Sequence, residues 1–368
     1  MRILVTGAGL AGLSAGLTLS ADHDVTIVER ADRLRTGGSP IDLRGDALAV
    51  ADRLGILGAV RDARVTMTET VTFVDAAGQV RATLSQDAVG DSPDDVEIAR
   101  EDLIRILRDA LPAHVRLVLG DHVTALAQDA DGVDVTFAHG AAARFDLVVG
   151  ADGIHSRTRR LVFGPEEDVV RPLGYHVAFG AMPGRADPTT RVNSFYNFPG
   201  HLIGVAQYHD KVVAVASYRS DGAEHDHRDP GSGRRALARA FAGHDEWRVP
   251  EILAALLDDQ DLYFDIVAQV HMDAWHRGRV VLVGDAASCA SGLSGRGTSL
   301  ALTGADFLAG ALAAHPGDLP AAFAAYERRQ RPYVTHAQAT AAPGGALLMP
   351  PTAEAIRERD EQLNALAG

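Results

Sequence analysis

The chain of 368 residues contains one cysteine, Cys289, and one lysine, Lys211. A single thiol excludes a disulfide framework and a cysteine-rich metal centre, and it fits a reducing compartment. A single lysine that follows no glycine run excludes a Walker loop and leaves only Lys211 for Schiff-base chemistry. Basic residues are short relative to acids, with 35 Lys and Arg against 49 Asp and Glu for a net charge of −14. That balance argues against nucleic acid or an anionic membrane surface as a partner. No run approaches the roughly 18 apolar residues needed to cross a membrane. The apolar start after Arg2 is broken by glycines and followed at once by Asp22 and Asp24, unlike a secretion signal. The chain is expected to be cytoplasmic, with no membrane and no nucleic-acid partner.

Three short segments spread along the chain carry the chemistry: Gly7-Ala8-Gly9-Leu10-Ala11-Gly12, Gly150-Ala151-Asp152-Gly153 and Gly284-Asp285-Ala286-Ala287. Each follows a run of aliphatic residues that reads as a buried strand. In the first, Gly7 permits a tight turn, Gly9 lets the backbone approach a pyrophosphate, and Gly12 lets helix and strand pack closely. The helix opening at Leu10 and Ala11 then offers free N–H groups and partial positive charge to phosphates. The next strand, His23 to Glu29, ends in an acid about 20 residues after the glycines, where a ribose-binding carboxylate belongs. Glu29 would repel a 2′-phosphate, so the ligand bound here is not NADP.

The length suggests two domains or one large composite domain. A polar connection from Arg30 to Asp46, holding Gly37, Gly38 and Pro40, is long enough to cover a ligand. Helices are expected over Asp46 to Val60, from Arg100, over Thr298 to Ala314, and over Ala321 to His336 and Ala353 to Leu366. The last two are joined through Pro343-Gly344-Gly345 and Pro350-Pro351. Val65 to Leu84 reads as a hairpin turning at Asp75 to Gly78. From Val169 to Val270 the pattern becomes alternating strands with one helical insert at Arg234 to Leu257, an antiparallel sheet inserted into the first domain. The expected fold is α/β: a Rossmann-like dinucleotide-binding domain, an inserted antiparallel-sheet substrate domain and C-terminal helices. The expected boundaries are 1–68, 98–168 and 275–340 for the first domain, 69–97 and 169–274 for the second, and 341–368 for a C-terminal helix.

With these motifs in this order, the chain resembles the FAD-dependent aromatic hydroxylases and monooxygenases of the para-hydroxybenzoate hydroxylase fold, in particular the compact tetracycline-inactivating type. The resemblance covers nearly the full length. It implies that Gly7, Gly9, Leu10, Ala11, Gly12, Glu29 and Arg30 hold the ADP half of FAD. It implies that Arg100, in Arg100-Glu101-Asp102-Leu103, contacts the phosphate–ribityl region and that Asp152 serves flavin and nicotinamide pyrophosphates. Asp285, after Gly284, would hold the ribityl hydroxyls, and Asp42, in the stretch from Gly37-Gly38 to Asp42-Leu43, would lie near the flavin. Where relatives carry His or Tyr, prolines and Gly-Gln-Gly, this sequence has Ser288, Ala290, Ser291, Gly292 and Gly295-Arg296-Gly297. The helix after that loop would face the flavin pyrimidine edge and stabilise negative charge at N1 and O2. Arg296 either adds a full charge there or points into solvent.

Other features have plainer readings. His225-Asp226-His227 with Asp229 is a solvated turn rather than a metal site. Cys289 is a buried packing residue before it is a covalent flavin link. His176, Tyr196, His201, Tyr208, His209 and Tyr218 fall on inserted strands, some facing a substrate cavity and others solvent. Arg35 either steers nicotinamide phosphates or is a loop charge.

The function implied is FAD-dependent and NAD(P)H-using insertion of one oxygen atom from O2, through a flavin C4a-hydroperoxide, into an aromatic or polycyclic, polyketide-like small molecule. No protein nucleophile and no metal is required. The alternatives are a flavin oxidoreductase without oxygen insertion, or an FAD-fold protein that sequesters a ligand. A halogenase is disfavoured because Trp247 and Trp275 stand far apart. Substrate identity, NADH against NADPH, the type of insertion, and monomer against homodimer stay open.

Overall fold

The computed structural model describes residues 1–34, 40–65, 70–85, 92–184, 192–208, 211–220, 229 and 231–367. Its first sheet has six strands in the order His276–Arg277, Val280–Leu282, Leu147–Gly150, Arg2–Thr6, Asp24–Glu29 and Arg116–Leu119. All neighbours are parallel except the first pair, a hairpin. Strands buried on both faces need continuous apolar sequence, and Ile3-Leu4-Val5 and Val148-Val149 supply it. Ile3 and Val5 face one core with the helices Leu10–Leu19, Gly297–Ala314 and Leu319–Leu348. Leu4 faces the other way, into a core under the meander Val123–Gln128, Val133–Phe137 and Ala143–Phe145.

The second sheet has seven strands in the order Tyr263–Val270, Val170–Ala181, Lys211–Arg219, His201–Tyr208, Val192–Phe198, Thr70–Val74 and Val80–Ser85. It is antiparallel apart from one parallel pair, Val192–Phe198 with Thr70–Val74. Alternate residues form two faces. His176, Ala178, Tyr196, Ile203, Ala216 and Tyr218 lie on the face packed by the helices Ser232–Ala240 and Val249–Asp258. Tyr175, Val177, Phe179, Phe195, Leu202, Val213 and Val215 lie on the other, with Leu293, Met349 and Leu363.

That alternation corrects the expectation that some of the His and Tyr residues on these strands face a cavity and the rest solvent. His176 is buried and stacked between Tyr218 and Phe264, and the His201 ring lies over Phe198. With Tyr196 they belong to the aromatic layer under the two helices, and the face toward Leu293 carries Val177, Phe179, Val213 and Val215 together with Asp265 and Tyr263, which stand opposite Val177 and Phe179. The Tyr208 side chain and His209 lie outside the described residues.

Three helix expectations also change. Asp46 to Val60 is two helices, Asp46–Arg53 and Leu57–Asp62, and the insert at Arg234 to Leu257 is likewise two. The joint expected at Pro343-Gly344-Gly345 is absent, because one helix of 30 residues, Leu319–Leu348, runs through Pro332 and Pro343. Each interior proline costs about 3 kcal/mol. The buried stripe Ala322, Phe323, Tyr326, Val334, Ala337 and Ala341 holds the helix on Gly297–Ala314 and offsets that cost. Gly345 lies against the Tyr175 ring, where a Cβ would come within 2.9 Å. Among the described residues, Gly297–Ala314 alone has the length and apolarity of a membrane span, with a mean hydropathy of 1.2, and 61% of it is buried inside the protein.

Candidate cofactor and substrate site

The first two glycine signatures touch. Gly7 has φ +93° and donates its N–H to the Val28 carbonyl at 2.7 Å, and a Cβ there would fall 2.6 Å from the Ala151 carbonyl oxygen. At Gly12 a Cβ would overlap the Gly7 carbonyl, so helix and strand approach as only glycine allows. Gly9 differs from both. It caps the helix Leu10–Leu19 in extended conformation, and a Cβ there would meet nothing within 4 Å. The first-turn amides of Leu10, Ala11 and Gly12 open on that gap.

Glu29 braces this loop from the next strand. Its Oε2 accepts the Ala8 N–H at 2.8 Å and its Oε1 the Ala31 N–H at 2.9 Å. A carboxylate has about four lone-pair sites, so each oxygen keeps acceptor capacity for a ribose. Arg30 follows, exposed at the edge of the loop.

Asp152 is committed to its own loop. It accepts from Thr158 N at 2.9 Å, Thr158 Oγ1 at 3.0 Å and the Ser156 hydroxyl, capping the helix Arg157–Phe163. Thr158 Oγ1 also pairs with Thr6 Oγ1 at 2.7 Å, which locks this loop to the first strand. Arg159 is fully buried and donates to the Ile154 carbonyl and, at 3.0 Å, to the Ala286 carbonyl. The second signature is thereby tied to the third.

In the third, Gly284 packs so closely on the glycine-loop helix that a Cβ would stand 2.6 Å from Ala11 Cβ. Asp285 opens the short helix Asp285–Ser288. Its side chain is open to solvent, yet desolvation pushes its carboxyl above the usual range while Arg100 opposes the rise. The solvent-reached space beside Asp285 and Arg100 is the candidate cleft. Arg100 opens the helix Arg100–Asp109, and its Nε is buried without a partner. Tyr263, absent from the sequence-derived set, joins them. Tyr263 is 37% exposed, yet crowding by protein pushes its hydroxyl pKa up, Asp265 adds to the rise, and Arg100 opposes it. No local motif marks Tyr263, because only the edge strand of the second sheet brings it to this cleft. Cys289 is buried with its thiol toward the Ala268 carbonyl at 3.6 Å, and burial holds its pKa well above the ordinary value. It is a protonated packing residue.

The loop after Asp285 is strained at Ser291, a non-glycine residue at φ +83° whose Oγ accepts the Leu293 N–H at 3.1 Å. A Cβ at Gly295 would lie 3.6 Å from both Asp42 Oδ2 and Arg44 Nη2, which pair with each other at 3.0 Å. Arg44 N donates to Ser299 Oγ at 2.9 Å, fixing the residue after the short strand Ile41–Leu43 to the first turn of Gly297–Ala314. Arg296 is the half-buried N-cap of that helix, and Gly297 beside it is open. With no acid in the first turn, the helix presents an uncompensated positive end. Arg35, Gly37, Gly38, His225, Asp226 and His227 lie outside the described residues.

Open glycine amides, a desolvated but accessible Asp285 and a partnerless buried Arg100 Nε suit a pyrophosphate followed by a polyhydroxyl chain. These residues therefore fit FAD. A cavity of about 690 Å³ lies elsewhere, between Asp168, His271, Trp275 and Arg331, and meets this region at Ser288. Among the described residues no cluster of His, Cys, Asp or Glu could hold a metal ion.

Comparison with known proteins agrees with this geometry. Residues 1–341 match the family described as FAD binding domain. The chain is 39% identical over 354 residues to an uncharacterised protein of Mycobacterium tuberculosis, covering 94% of each. It is 34% identical over 364 residues to an FAD-dependent monooxygenase of Sarocladium schorii, covering 92% of this chain and 86% of that protein. The crystal structure of the tetracycline destructase Tet(51) superimposes with a TM-score of 0.86 at 31% identity, covering 99% of this chain and 96% of that one.

Proposed function

The chain belongs to the FAD-binding-domain family and is an FAD-dependent monooxygenase, and we propose that it uses NAD(P)H and O2 to insert one oxygen atom into an aromatic or polycyclic small molecule. The observation that supports this most is the relation of the cleft to the second sheet. The three signatures converge below a sheet face built from Val177, Phe179, Phe195, Val213 and Val215, beside Leu293 of the loop after Asp285. Such a wall suits a planar, largely apolar substrate and keeps water out.

FAD, when bound, would supply the redox and oxygen-activating chemistry, with NAD(P)H as the reductant. The protein supplies position and charge. Gly7, Gly9, Leu10, Ala11, Gly12, Glu29 and Arg30 would hold the ADP half through backbone amides, the helix dipole and the Glu29 carboxylate. Arg100, whose buried Nε lacks a partner, would meet a phosphate or ribityl oxygen, and Asp285 would hold the ribityl hydroxyls. Asp42, Gly295, Arg296 and Gly297 would surround the pyrimidine end, where the helix N-terminus favours negative charge. Asp152 would act at one remove, by keeping its loop in place.

The test is direct. Purified protein should carry FAD by its absorbance, and a polycyclic phenol should raise both NAD(P)H oxidation and O2 consumption. With labelled O2, one labelled atom should enter the product. Flavin-bound protein that oxidises NAD(P)H without labelling any product would support a reductase instead.

A further inference from the structure

The face of the first sheet turned away from Leu10–Leu19 is covered unevenly. The meander packs well on Leu4, Val28 and Val148. Toward the edge strand Arg116–Leu119 the cover is the turn that holds Gly140, Ala141 and Ala142, and side chains this small leave a pocket of about 290 Å³. Its floor follows the strand register, with Thr26 beside Arg116 and Val28 beside Val118. Phe137 and Phe145 close it from the meander, edge to face with ring centroids 6.5 Å apart.

The charges at this pocket do not cancel. Its lining holds one acid, Asp121, and two bases, Arg2 and Arg116. The buried Asp121 carboxylate is taken up by backbone. Its Oδ1 accepts the N–H of His122 at 2.8 Å and of His139 at 3.0 Å, and its Oδ2 accepts that of Gly140 at 2.8 Å. The two guanidiniums are exposed. Arg2 lies 5.4 Å over the Phe145 ring, and among the described residues neither Arg2 nor Arg116 makes a side-chain hydrogen bond or an ion pair. Asp24, the register partner of Arg2, leaves it unpaired, and Asp146 accepts the Arg2 backbone N–H at 2.7 Å instead. In a chain of net charge −14, two unpaired cations thus stand at the mouth of an apolar pocket.

We propose that this pocket binds a small aromatic carboxylate, with its ring among Phe137, Phe145 and Val118 and its carboxylate on Arg2 and Arg116. A guanidinium matches a carboxylate in planar, two-bond geometry. Paired phenyl rings favour an aromatic body over an alkyl chain. The volume is at the small end for ligand pockets, which suits one or two fused rings and excludes a larger polycycle. The site lies across the sheet from the glycine-loop helix, so it is separate from the cofactor cleft and does not rest on the FAD reading.

The experiment is calorimetric titration of the full-length, FAD-loaded protein with 2-naphthoate at one low salt concentration. Wild type should bind it, and Arg2→Gln and Arg116→Gln should each bind about tenfold more weakly, the double variant about a hundredfold. Both side chains are exposed and unpaired, so these variants should unfold at the wild-type temperature. Naphthalene-2-carboxamide, which keeps the shape and lacks the charge, should bind wild type at least about tenfold more weakly than naphthoate. Val118→Phe keeps both cations but fills the pocket, and it should also lose about tenfold or more. Wild type that takes up no naphthoate overturns the proposal, as does a double variant that binds it at full strength. Equal binding of the carboxamide overturns the anionic class, and wild-type affinity in a folded Val118→Phe overturns the pocket. A protein that carries no FAD defeats the proposed function, while the same titration of the FAD-free chain still decides this site.

Discussion

The buried guanidinium of Arg159 donates to the Ala286 carbonyl at 3.0 Å, so one side chain from the second signature holds the backbone of the third. Its other bond, to the Ile154 carbonyl, closes the loop that carries Asp152 and Gly153. The two loops that frame the cleft therefore move together or not at all.

Arg159→Met should uncouple them. Methionine matches the length and apolar stem but leaves both buried carbonyls unsatisfied. Hydrogen bonds to charged groups are worth about 1.5–3 kcal/mol each. The unfolding free energy should drop by roughly 3–5 kcal/mol by denaturant titration, and FAD affinity should fall with it. Wild-type stability in this variant would mean that the loops are held by other contacts.

Gly9 and Gly12 should respond in opposite ways. Gly9 has φ −76° and open space beside it, so Gly9→Val should leave the FAD-free protein within about 0.5 kcal/mol of wild type. The added side chain would stand where the pyrophosphate must approach, and flavin content after purification should be lost. Gly12→Ala should instead destabilise the fold itself, because its Cβ would overlap the Gly7 carbonyl. Full flavin content in Gly9→Val would remove this loop from the cofactor site.

His155 sets a pH dependence. Its Nδ1 meets Glu166 Oε1 at 2.7 Å and its Nε2 meets Asp265 Oδ1 at 3.2 Å, joining the second signature to the edge strand of the other sheet. Burial lowers its pKa, but the bonds to Asp265 and Glu166 outweigh burial and raise it to about 9. A raised pKa means that the folded state holds the proton longer than the unfolded state. The contribution is whole below about pH 6.5 and is lost as pH rises through 9. Thermal unfolding should therefore show wild type losing about 1–3 kcal/mol across that window, and His155→Gln should show a flatter profile. Parallel profiles would mean that the ring is neutral in the folded protein.

Arg296 is the N-cap of Gly297–Ala314, and its half-buried side chain adds positive charge to a helix end with no acid in its first turn. Arg296→Gln should lower the flavin reduction potential by tens of millivolts, for an interaction of about 1–3 kcal/mol. The comparison must be made at one salt concentration, since exposed charge is screened. An unchanged potential would assign Arg296 to solvent or substrate and leave the helix alone to serve the flavin.

The cofactor half of the site was legible because its chemistry is local. A short buried strand, glycines at set spacing and an acid at the end of the next strand are contiguous in the chain. The structure adds how each is used: Gly7 against Ala151, Glu29 on the Ala8 amide, and Asp152 on the cap of its own helix rather than open to a ligand. The substrate half was not legible in this way. On strand Val170–Ala181, Tyr175 and His176 both look fit to line a cavity, and only packing against the two helices turns His176 away. Pro343 reads as a break, because the apolar stripe that keeps the helix intact finds its partner in Gly297–Ala314.

By itself, then, the sequence determined that this chain builds a strand–glycine–helix turn with an acid at the end of the next strand. Those signals depend on backbone conformation within a few residues, which local sequence dictates. Tertiary structure alone decided which face of the second sheet looks on the cleft and that Arg159 joins two loops. Each of these depends on register and burial between segments far apart in the chain, and free energies of packing and desolvation exist only once those segments have met.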